Sequence, residues 1–103
     1  MAVRGYFSHS SDDGSLFWER IGRFYRRTPQ WSTYEIGENL MRGPASVSAG
    51  AVMRSWLESP PHRRNLFAGW GEVGFGAVRV AGAPGVYDGQ TVAIVTADFG
   101  VRR

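Results

Sequence analysis

The sequence predicts an α+β domain in which a small antiparallel sheet is flanked by helices. Two apolar-periodic stretches, 16–25 and 46–58, carry a helical repeat, and beyond residue 70 the pattern changes to two glycine-punctuated runs, 72–80 and 90–100. Residues 1–103 make one domain, since a chain of this length can bury roughly 60 to 70% of the surface its unfolded form exposes. Apolar residues at 43% and aromatics at 14% mark it as globular and not disordered.

In chain order, Gly5-Tyr6-Phe7-Ser8-His9-Ser10 leads into the polar loop Ser10-Ser11-Asp12-Asp13-Gly14-Ser15, which ends in a good N-cap. The first helix runs from Leu16 to Tyr25, with Leu16, Phe17, Ile21 and Phe24 as its buried stripe and Glu19, Arg23 and Arg26 facing water. Thr28-Pro29-Gln30 ends it. Trp31, Tyr34 and Ile36 then suggest an extended, partly buried segment from Trp31 to Leu40, in which Gly37 permits a turn that presents Glu38 inward.

Gly43-Pro44 breaks the chain, and a helix from Ser46 to Glu58 follows. Val52 and Trp56, and Met53 and Leu57, repeat at four-residue spacing as a buried face requires. Gly50 costs this helix about 1 kcal/mol against alanine, which a close approach to another backbone would offset. Pro60 and Pro61 stop the helix and place His62 on a short rigid connector. The strands Glu72–Val80 and Gln90–Gly100 pair most simply as an antiparallel hairpin across the loop 81–89. Gly74 and Gly76 leave room above one face of it.

Several function classes fall away on composition. All twelve basic residues are arginine and the net charge is +3, with Arg23, Arg26 and Arg27 beside Tyr25 as the densest cluster. That is a solvated helix end, short of the broad stripe or recognisable module that nucleic-acid binding needs. With no cysteine there is neither a disulfide nor a thiolate metal site. No run approaches the roughly 18 apolar residues of a membrane span, so no transmembrane segment is expected, and residues 1–20 lack the apolar stretch of a secretory signal.

The ordered motifs carry a further signal. Gly5-Tyr6-Phe7-Ser8-His9-Ser10, Gly37-Glu38-Asn39-Leu40, the run from Trp56 to Leu66, Glu72-Val73-Gly74-Phe75-Gly76 and Thr96-Ala97-Asp98-Phe99-Gly100 together resemble the bacterial branch of the CAP superfamily. That superfamily groups the cysteine-rich secretory proteins, antigen 5 and the plant pathogenesis-related proteins. The resemblance implies an α-β-α sandwich and a secreted or cell-envelope location. It also implies a long first helix ahead of the segment at Met1, so the chain is expected to be truncated at its N-terminus or to start at an internal methionine. An uncovered sheet face would follow, with self-association through it.

The resemblance implies a cleft in which His9, Glu38 and His62 hold a divalent cation, zinc first and magnesium or calcium after it. Two neutral imidazoles and a carboxylate are the ligand set of an open metal site. A second glutamate of many relatives falls at Ser59 here, and Glu58 is one residue early, about 200° around the helix from Trp56 and on the side of Arg54. Asn39, Ser59 and Glu58 are the further candidates to line the cleft. Asn39 is better suited to hold backbone by hydrogen bonds than to meet a ligand.

Three readings stay open at this point. The first is an extracellular binding module taking a metal and a lipid, sterol or peptide. The second is a metal-dependent hydrolase or protease, for which Glu38 would have to be both ligand and base. The third is a structural or adhesive domain whose histidines and Glu38 hydrogen-bond across a packed cleft.

Overall fold

β-Branched and small residues fill the last strand, and the sheet is built around it. The structure, a computed structural model, describes residues 1–2, 4–11, 13–22 and 34–102. Its elements are α1 (Phe17–Gly22), β1 (Tyr34–Pro44), α2 (Ala49–Glu58), α3 (Pro60–Phe67), β2 (Glu72–Val80), a 3₁₀ turn (Gly85–Tyr87) and β3 (Val92–Arg102). The sheet has the order β1-β3-β2 and both pairings are antiparallel. The hairpin expectation holds for β2 and β3, and β1 adds to the far side of β3. The connection from β1 to β2 carries α2 and α3 across the sheet.

Strand alternation then assigns each side chain to a face. Glu38, Leu40 and Arg42 lie opposite Asp98, Thr96 and Ile94 on one face, and Gly37, Asn39 and Met41 lie opposite Phe99, Ala97 and Val95 on the other. The second face takes α2 and α3: Val52 and Trp56 are buried against Ala97 and Phe99, with Met41, Val47, Leu66 and Trp70 around them. Trp56 Nε1 donates to Leu40 O at 3.1 Å, so the largest side chain of this core leaves no orphan donor. The first face takes the N-terminal segment, where Ala2, Ala83, Tyr87, Val92 and Ile94 form a second core cluster with Met1 and Phe7 against it. Tyr87 Oη donates to Tyr6 O at 2.6 Å. Gly85, at φ +62°, passes so close that a Cβ there would run into the Gly5 carbonyl.

The structure departs from the sequence reading in several places. Gly37 makes no turn. It is a strand residue, and a Cβ on it would lie 2.9 Å from Trp70 Cζ2, so glycine is required by the tryptophan that covers it. The extended segment expected to end at Leu40 runs on through Gly43 and Pro44 as part of β1. The helix expected from Ser46 begins at Ala49 because Ser48 is its N-cap, accepting from Ala51 N at 3.1 Å. No backbone approaches Gly50, whose nearest neighbour to a Cβ is Ser48 Oγ at 4.0 Å. Met53 is exposed, so the buried face of α2 is the narrower Val52–Trp56 line. Leu16 precedes α1 and is exposed. Phe24, Trp31 and the arginines 23, 26 and 27 lie outside the described residues.

The proline pair is the most consequential departure. α2 does stop at Glu58, but Ser59 (φ −103°, ψ 113°) closes it and opens α3 at once, with Pro60 at the first helical position. Proline is suited there because its missing N–H would have had no intrahelical partner. His62 is therefore a helical residue and not part of a connector.

Candidate functional site

Glu38 and Asp98 are cross-strand partners on the face of the sheet that the N-terminal segment covers. Both point the same way, close enough for the Glu38 carboxyl to act on that of Asp98. The Glu38 side chain is wholly buried, a costly place for a charge unless it is paired. Two partners come from the preceding segments. His9 Nδ1 lies 3.0 Å from Glu38 Oε1, and the Arg20 guanidinium of α1 bonds Glu38 Oε2. Arg20 also reaches His9 O at 3.4 Å, closing the group on itself. α1 is a short helix, and Glu19 Oε2 holds its first turn by accepting from Leu16 N at 2.9 Å.

Burial pushes the Asp98 carboxyl up to about 7, helped by the hydrogen bond to Glu38 and by that neighbour's charge, and opposed by Arg20 and His9. One proton between two carboxyls is the expected result of placing them side by side. Asp98 Oδ1 is buried without a hydrogen-bond partner. The linkage has a definite sign. Between the ordinary value of 3.8 and about 7, the unfolded chain has lost a proton that the folded chain retains. The contribution of Asp98 is thus fully present in acid and is lost as pH rises toward neutrality. Denaturant titrations from pH 4 to 8 should show this as a falling component no steeper than about 1.4 kcal/mol per pH unit, and Asp98→Asn should remove it. An unchanged slope in that variant would show that Asp98 ionises normally.

His62 is elsewhere. Its helix lies on the opposite face of the sheet, where Asn39 Nδ2 donates to His62 O at 3.0 Å and the imidazole Nδ1 lies 2.7 Å from Ser59 Oγ. Of the three residues expected to hold a cation, the structure brings together His9 and Glu38, whereas His62 meets Ser59 through its imidazole and Asn39 through its carbonyl. Among the described residues no three histidine, aspartate or glutamate side chains form a group that could hold a metal ion. Both Glu38 oxygens are already bonded, one of them to a guanidinium whose fixed charge would repel a cation. The set does not fit a divalent ion in this arrangement.

The other candidates divide similarly. Asn39 is 0% exposed and lines no open cleft. It accepts from Asn65 Nδ2 at 2.9 Å, while Asn65 Nδ2 also donates to Glu38 O at 3.2 Å, so the two asparagines fasten α3 to β1. Ser59 is the helix junction and the partner of His62. Glu58 is exposed, as its position around the helix requires. Arg20 and Asp98 are the members that the sequence reading missed. Only the strand register, which sets Asp98 opposite Glu38, singles out the second.

Open space lies on both faces. A cavity of about 390 Å³ runs past Arg20, Asp98 and Gly74, and one of about 450 Å³ past Arg20, Thr96 and Gly76. Both run over the β2 glycines, where a Cβ would meet nothing within 4 Å. On the helical face a groove of about 720 Å³ lies between α2 and β2, lined by Val47, Val52, Met53, Trp56, Phe75 and Val95 among others.

A family model described as the cysteine-rich secretory protein family, CAP, matches residues 1–95. No curated protein and no solved structure gives a significant match to the chain.

Proposed function

The chain belongs to the CAP family of cysteine-rich secretory proteins, and from that premise we propose that it is a secreted or cell-envelope binding module that takes a lipid or sterol in the groove between α2 and β2. The observation that carries this reading is the groove itself: about 720 Å³, mostly apolar in its lining and beside the sheet. That volume lies in the range of small-molecule sites, about 300 to 1,000 Å³. Val47, Val52, Phe75 and Val95 supply apolar walls, and Trp56 closes the floor. No helix among the described residues is long and apolar enough to cross a membrane.

The polar cluster is better suited to holding the fold than to hydrolysis. A general base must lie within reach of a substrate proton, and the Glu38 side chain is wholly buried beside His9 and Arg20. The bond between His9 and Glu38 is what a structural cleft calls for, and it favours that reading for this half of the molecule.

Titration with a fluorescent fatty acid, read by energy transfer from tryptophan, tests the groove. Saturable one-to-one binding is expected, weakened about tenfold by Met53→Glu at the groove's exposed wall, a change worth about 1.4 kcal/mol. Binding that Met53→Glu leaves unchanged would place the ligand elsewhere, and failure of both a fatty acid and a sterol to bind would overturn the proposal.

A further inference from the structure

β2 is an outer strand of the sheet, and it lacks the protection that edge strands normally carry. Its nine residues pair with β3 in unbroken register, so no bulge turns the edge away. It contains no proline and no lysine, and its charges, Glu72 and Arg79, stand near its two ends. Residues 72–79 are all exposed, including Val73 at 50%, Phe75 at 68% and Val78 at 49%. Pairing to β3 uses one side of the strand, and among the described residues no further strand pairs along the other, where the backbone donors and acceptors of its middle residues form a template for one.

We propose that β2 is a dimerisation edge: two copies of this chain pair antiparallel along Glu72–Val80 about a two-fold axis through Gly76, joining their three-stranded sheets into one. An axis perpendicular to the sheet keeps like faces together, as strand alternation demands. Gly76 then meets Gly76 of the second copy, Phe75 meets Ala77, Gly74 meets Val78, Val73 meets Arg79 and Glu72 meets Val80. Every large residue on the central positions faces a small one, and no like charges stand opposite each other, an arrangement that would be destabilising. The same strand would not be self-complementary with a bulky residue at its midpoint.

The contact is of modest size. Nine residues at about 3.4 Å each give a strip about 30 Å long, at the low end of interfaces for which about 800 Å² per partner is standard. The dimer is therefore concentration-dependent. It rests on the backbone edge of β2 and does not require a ligand; Phe75 also lines the groove, so the cross-link at Gly76, which does not, separates the two readings.

Light scattering over a concentration series should show the mass rising from monomer to dimer. Phe75→Lys, at a position 68% exposed in the single chain, should weaken the dimer at least tenfold by replacing the apolar contact with Ala77 of the second copy and setting two like charges at diagonal cross-strand positions. The register is tested separately. The chain has no cysteine, and opposite residues of antiparallel strands have Cα atoms about 4.5 to 5.5 Å apart, within the span of a disulfide. Gly76→Cys should cross-link into a covalent dimer under mild oxidation, and Glu58→Cys, exposed on α2, should not. A monomer at every concentration, a dimer indifferent to Phe75→Lys, or Gly76→Cys cross-linking no faster than Glu58→Cys would each overturn the proposal.

Discussion

Glu38→Ala should cost about 3 kcal/mol of folding stability, because breaking a buried ion pair on one side leaves the other charge without its partner. The Arg20 side chain is 26% exposed, so water offsets part of the loss and holds the cost to the lower end of the usual range. For a domain of this size, in which about 1 kcal/mol moves the midpoint by roughly 4 to 8 °C, thermal unfolding should come more than 10 °C earlier. Asp98 will adjust: with the neighbouring carboxylate gone it can ionise and turn to Arg20, and the pH-dependent component assigned to it should shrink in the same variant. The double variant Arg20→Met with Glu38→Ala should then cost less than the sum of the two single changes, as expected for residues that share one interaction. Additive losses would mean that Glu38 and Arg20 do not stabilise each other in solution. A midpoint unchanged by Glu38→Ala would remove the structural reading of the polar cluster altogether.

What was legible in the sequence followed from local pattern. Val52 and Trp56 announced the buried line of α2 by their spacing, and the β2 boundaries, 72 and 80, came from composition and turns alone. Glu38 was singled out by its motif, and its burial agrees with the inward placement expected of it. What was not legible depended on long-range geometry. The run Ser59-Pro60-Pro61 reads as a stop because proline ends helices from the inside, yet the same residue is well placed at the start of one, and only the backbone at Ser59 decides between them. That single ambiguity makes His62 a residue of α3, the helix that Asn39 and Asn65 fasten to β1. Arg20 carried no signal of its own, being one of twelve arginines in the chain. Asp98 looked like one polar residue in a closing strand, because nothing local reveals which residue of β1 lies across from it.

The asparagine pair behind Glu38 carries the second large effect. Asn39→Leu keeps the branched shape and heavy-atom count of a fully buried side chain but deletes a donor to His62 O at 3.0 Å and an acceptor for Asn65 Nδ2 at 2.9 Å. Each group left unsatisfied costs about 1 to 3 kcal/mol when buried; because α3 is half open to water, the sum should be about 3 kcal/mol. The damage should also be localised differently from that of Glu38→Ala. α3 has no fully buried residue of its own and is attached chiefly through Leu66, Trp70 and these amides. Loss of Asn39 should therefore speed amide exchange in residues 60–67 beyond any change in the strands, whereas Glu38→Ala should lower protection across β1 and β3 together. Uniform loss of protection in Asn39→Leu would mean that α3 and the sheet unfold as one unit, and that the asparagines stabilise the whole domain instead of fastening one helix to it.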